Sequence, residues 1–81
     1  MLRLSTRTRL NPEEVSKQAV GFFGPGGYGL EVVDETTGYV CLEGAGGVVE
    51  VIASPEGKGA SVELISKEWD HQAQEFLRKI S

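Results

Sequence analysis

Leu30–Ile65 reads LEVVDETTGYVCLEGAGGVVEVIASPEGKGASVELI. Short apolar runs, rich in valine, alternate there with clusters of turn-forming residues. The runs Leu30–Asp34, Tyr39–Glu43, Val48–Ala53 and Ala60–Ile65 are predicted strands. They are separated by Glu35-Thr36-Thr37-Gly38, by Gly44-Ala45-Gly46-Gly47 and by Ser54-Pro55-Glu56-Gly57-Lys58-Gly59. Connections this short leave no room for a helical crossover, so consecutive strands must run antiparallel as a meander. Residues two apart share a face, which splits each strand. Leu30, Val32, Val40, Leu42, Val49, Val51, Val62 and Leu64 fall on one side, and Glu31, Glu43, Glu50 and Glu63 alternate with them. The first set is predicted to face the core.

Upstream, Leu2–Leu10 keeps the same period. Leu2, Leu4, Thr6, Thr8 and Leu10 alternate with Arg3, Ser5, Arg7 and Arg9, which makes a fifth strand with an arginine row on its outer face. That row reads as a solvated face paired with glutamates on neighbouring strands, in preference to an anion site. Asn11-Pro12-Glu13-Glu14 then starts a helix. Asn11 can cap, proline suits the first helical position, and Glu14 stands where a capping-box acid reaches back. Val15, Ala19, Phe22 and Phe23 form its apolar stripe, and Gly24-Pro25 ends it, so the helix should span Pro12–Phe23.

Gly24-Pro25-Gly26-Gly27-Tyr28-Gly29 invites a phosphate-loop reading. In such loops the glycines follow a strand and open a helix, whereas these close a helix and lead into a strand. They are expected to form a C-cap with a flexible crossover. The last stretch, Ser66–Ser81, is read as a second helix capped by Ser66. Trp69, Ala73, Phe76, Leu77 and Ile80 lie along its apolar stripe.

The expected fold is therefore α+β, with order β-α-β-β-β-β-α, a five-stranded mainly antiparallel sheet and two helices packed on one face. Residues 1–81 are read as a single domain, small enough to be marginally stable, for which homo-oligomerisation is an ordinary remedy. This layout resembles the half-repeat of the TATA-binding-protein fold and, more loosely, the helix-grip fold of lipid- and polyketide-binding proteins. The resemblance is one of architecture and carries no motif. In the first family the free sheet face sits on DNA, and the glutamates on that face here depart from such a role. In the second a cavity opens between a long C-terminal helix and the sheet, for which a chain this short has little room.

Composition narrows the function classes. The net charge is −4, and acids outnumber bases by twelve to eight, which argues against nucleic acid as a partner. The lone Cys41 excludes an internal disulfide and suits a reducing cytoplasm. The N-terminus alternates instead of running apolar, and no stretch approaches the length of a membrane span, so neither a signal peptide nor a membrane partner is expected. No cofactor is expected. His71 stands beside Asp70 with Glu75 one turn on, yet it lies off the apolar stripe, and an exposed ion pair with Glu75 is the simpler reading. Cys41 with His71 as a nucleophile pair would also need an orienting group and an oxyanion site, and neither is signalled.

The remaining feature is the outer sheet face. Val33, Tyr39, Cys41, Val48, Ile52 and Ile65 are too apolar for a freely solvated surface if they are contiguous, and the Glu and Arg among them are unsuited to a closed core. Such a face fits a protein interface, formed with a partner or with a second copy, in which Arg3 and Arg7 also take part. The expected function is a non-enzymatic interaction module. The alternative is a binder of a small apolar ligand held between helices and sheet by Phe22, Phe23, Trp69 and Phe76.

Overall fold

The computed structural model describes Met1–Ser81. Five strands and two helices follow one another as β1 (Leu2–Thr8), α1 (Pro12–Phe23), β2 (Glu31–Thr36), β3 (Tyr39–Gly44), β4 (Gly47–Glu56), β5 (Gly59–Lys67) and α2 (Asp70–Ile80). The strands form one antiparallel sheet in the order β1-β5-β4-β3-β2. The expected α+β architecture is the observed one. β1 and β2 lie at opposite edges, so α1 carries the chain across the whole width of the sheet. It packs on β2, β3 and β4, while α2 packs on β1 and β5 beside it. No helix is long and apolar enough to cross a membrane.

The core lies between the helices and one face of the sheet. Val40, Leu42, Val49, Val51, Val62 and Leu64 come from the strands, Val15, Ala19 and Phe23 from α1, and Ala73, Phe76, Leu77 and Ile80 from α2. These are the period-two and period-3.6 positions that the sequence marks as apolar. α1 starts as expected. The Asn11 side chain accepts from the Glu14 N–H at 2.8 Å, and Glu14 Oε1 accepts from the Asn11 N–H at 3.1 Å. Ser16, which lies off the predicted stripe, is also buried. Its hydroxyl donates to Thr36 O at 3.2 Å and accepts from Gly38 N–H at 3.0 Å, tying α1 to the β2–β3 turn.

Several boundaries differ from the sequence reading. Ser66 does not cap the last helix. It is the final inward residue of β5, following Ala60, Val62 and Leu64, and its hydroxyl donates to Asp70 Oδ1 at 3.0 Å. Glu68, at φ 70°, breaks the strand, and α2 begins only at Asp70 with Trp69 as an N-cap that makes no side-chain cap bond. β4 likewise continues through Pro55. There it has outrun β3, whose last pairing is Tyr39 with Ile52, so one of its edges is unpaired and tolerates a residue without an N–H. Leu10 and Arg9 lie beyond the end of β1.

The glycine-rich segment is a tied loop instead of a flexible crossover. Backbone bonds run from Gly27 N to Gly24 O, Tyr28 N to Phe22 O, Gly29 N to Gly24 O and Leu30 N to Phe23 O, at 2.8 to 3.1 Å. A Cβ on Gly27 would lie 2.0 Å from Phe22 O, so the loop closes only with glycine there. In β2 a bulge interrupts the register between Val32 and Asp34. Beyond it the alternation is inverted. Asp34 stands opposite Cys41, on the uncovered face, and Glu35, which the sequence reading assigns to the turn, belongs to β2 and stands opposite Val40, on the helix side.

Candidate functional site

The helices cover one sheet face and leave the other open. The strand registers lay its residues out in rows. Arg3, Ile65, Glu50, Cys41 and Asp34 stand side by side across β1, β5, β4, β3 and β2. The adjacent row is Ser5, Glu63, Ile52, Tyr39 and Thr36. On the other side lie Lys67, Val48, Glu43 and Glu31. Tyr39, Cys41, Val48, Ile52 and Ile65 are therefore contiguous, and each is half-buried by its neighbours on the face. Arg3 and Arg7 stand at the β1 edge. Val33 is the extra residue of the bulge, with no partner opposite, and is 46% exposed.

Glu50 occupies the middle of this block. Val48 and Ile52 flank it along β4, and Ile65 and Cys41 flank it across the strands. The Tyr39 hydroxyl donates to Glu50 Oε2 at 3.3 Å. Desolvation on the sheet face, followed by the Glu50 carboxylate, pushes the Tyr39 pKa up to about 12. Cys41 is shifted in the same direction by burial and then by Glu50, so its thiol is a poor nucleophile at neutral pH.

Charge is distributed unevenly around the block. Arg3 and Arg7 mark the β1 edge, with Lys67 at the end of β5, whereas Glu31, Asp34 and Glu43 gather on β2 and β3. Glu31 and Glu43 are direct cross-strand partners, an arrangement that like charges disfavour in the isolated sheet. With Val48 and Lys67 they border an open depression beside the β3–β4 hairpin. The arginine row has the partners expected for it. Arg7 Nε lies 2.9 Å from Glu56 Oε1, and Arg3 Nε lies 3.9 Å from Glu63 Oε2. Both pairs are well exposed, so each contributes at most about 1 kcal/mol.

The residues of the second candidate site are divided. Phe23 and Phe76 are fully buried, with ring centroids 5.3 Å apart. Trp69 bridges the end of β5 to the β3–β4 hairpin, and its indole N–H donates to Gly44 O at 3.0 Å. It lies so close to Gly47 that a Cβ there would stand 2.8 Å from Trp69 Cδ1. Phe22 is half-buried at the helix ends, where it meets Tyr28 at 5.4 Å and lies under Lys79 Nζ at 5.5 Å. These three border a depression that is open to solvent. The Tyr28 hydroxyl donates to Glu75 at 2.9 Å, and this bond raises the Tyr28 pKa.

His71 and Cys41 are not brought together. His71 projects from α2 to within 4.0 Å of Glu75, and Cys41 faces away on the other side of the sheet. Three residues of the open face escaped the sequence reading as site residues. Glu50 was recognisable as an outward strand position, but its central placement required the strand order. Asp34 was hidden by the bulge, and Lys67 by the assignment of Ser66 to the last helix. No family model matches the chain, and neither characterised proteins nor solved structures include a significant match to it.

Proposed function

We propose that the chain is a small non-enzymatic interaction module that associates with a protein, or with a second copy of itself, through the uncovered sheet face. The observation that carries this reading is the contiguous block of Tyr39, Cys41, Val48, Ile52 and Ile65 on the face opposite the helices. Apolar and aromatic side chains set around the single central Glu50, with further charges at the rim, give the mixture of apolar anchors and polar groups found in protein interfaces. The lone free thiol of Cys41 further supports a cytoplasmic setting. Native mass spectrometry and sedimentation of the wild type, Tyr39→Glu and Ile52→Glu test the reading. Assemblies present in the wild type and lost in both variants are expected. Assemblies that survive both substitutions, or a strictly monomeric protein with no partner sensitive to them, would overturn it.

A second reading, binding of a small apolar ligand, is favoured by the open depression that Phe22 and Tyr28 border near the helix ends. A small aromatic compound that raises the melting temperature of the wild type but not of Phe22→Ala would support it. An equal shift in both proteins would dismiss it.

A further inference from the structure

Resting on the sheet-face reading, we infer that the partner is a second copy of this chain, stacked face to face about a two-fold axis that runs along β4. β4 is the middle strand of the order β1-β5-β4-β3-β2, so a two-fold along it lays β1 of one copy over β2 of the other and β5 over β3. The two-fold keeps each row over itself. Arg3 then lies over Asp34 of the second copy, and Lys67 over Glu43. Both contacts occur twice by symmetry. They place a cation over Asp34 and over Glu43, neither of which has an ion-pair partner within one chain. The competing face-to-face arrangement, with the axis across the strands, lays the basic β1 edge on itself and the acidic β2 edge on itself, and like charges oppose it.

The distances suit the contacts. Aligned sheets pack about 10 Å apart, a gap that an arginine or lysine side chain reaching towards a carboxylate can span. Ile65 meets Cys41 of the second copy, Glu63 meets its Tyr39 hydroxyl, and Val48 and Ile52 meet their own counterparts on the axis. Five strands at about 4.8 Å spacing and roughly 20 Å of length shared by all of them give a flat footprint of about 500 Å² per copy, which makes the interface a small one. The dimer is therefore weak and concentration-dependent.

Glu50 is the one charge that opposes it. Standing at the middle of β4, it meets Glu50 of the second copy on the axis, among apolar side chains. Removing that charge strengthens the dimer, and Glu50→Gln keeps an acceptor for the Tyr39 hydroxyl.

The test is sedimentation equilibrium of the full chain from micromolar to millimolar concentration, with far-UV circular dichroism as the control for folding. The wild type is expected to associate weakly, and Glu50→Gln about ten-fold more tightly. Arg3→Asp and Asp34→Arg should each weaken self-association, and an equimolar mixture of the two variants should form a heterodimer in which both charge pairs are restored. Lys67→Glu mixed with Glu43→Lys provides a second, independent complementation. Self-association that Ile52→Glu abolishes but that neither mixture restores would overturn the two-fold arrangement and leave the sheet-face reading standing. Self-association indifferent to Ile52→Glu would overturn both. A wild type and a Glu50→Gln variant that remain monomeric throughout would overturn the self-pairing, and the sheet-face reading would then depend on a different protein partner sensitive to Tyr39→Glu and Ile52→Glu.

Discussion

Tyr39 and Glu50 show how two ordinary surface residues acquire unusual properties by position. The tyrosine lies on the open face between Ile52 and Thr36 and donates to the carboxylate two strand positions away. Both its partial burial and the nearby negative charge disfavour the phenolate. The phenol of the unfolded chain ionises near 10.0, and that of the folded chain near 12. Below the first value both states are neutral and the shift contributes nothing. Above it the unfolded chain releases the proton that the folded chain still holds, so stability falls as pH rises between the two values. An absorbance titration of tyrosinate should show a delayed step near 12, and Glu50→Gln should move that step back towards 10.0. A Tyr39 that titrates normally in the folded wild type would contradict the placement of the carboxylate.

At the scale of elements, the joints between helices and sheet are made by small polar side chains. Ser16 joins α1 to the β2–β3 turn with two hydrogen bonds, and the Thr8 hydroxyl donates to Ile80 O where α2 ends against β1. Ser16→Ala raises the helix propensity but strands the buried Gly38 N–H. A loss of about 1–3 kcal/mol in denaturant unfolding is expected, the penalty for an unsatisfied buried donor. A change under about 0.5 kcal/mol would mean that water replaces the hydroxyl. The bulge at Val33 acts on the same scale. One extra residue inverts the faces of Asp34 and Glu35 and so decides which acid reaches the open face.

At the scale of the molecule, stability and proposed association are assigned to opposite faces of one sheet. Phe76 lies at the centre of the covered side, against Phe23 and Phe22, and is wholly shielded from solvent. Phe76→Ala should therefore destabilise the chain by about 3–5 kcal/mol in chemical denaturation, which is enough to unfold much of a protein this small. Ile52→Glu, on the open face, should retain a cooperative transition. Loss of folding in Ile52→Glu with little effect of Phe76→Ala would reverse this division. The element order, the antiparallel meander, the capping box and the inward apolar residues of the strands were legible in the sequence, because period two, period 3.6 and turn chemistry are local properties of the chain. Ser66, Asp34 and Glu50 mark where that legibility ended. Ser66 has the composition of a cap and the position of a core residue. Asp34 changed face through an irregularity that no periodicity reports. Glu50 became central only once β4 was the middle strand. Local sequence determined which apolar residues turn inward wherever the strand alternation is unbroken. The tertiary structure alone decided which outward residues stand together, because lateral neighbours come from strands distant in sequence whose order and register are set by packing against the helices.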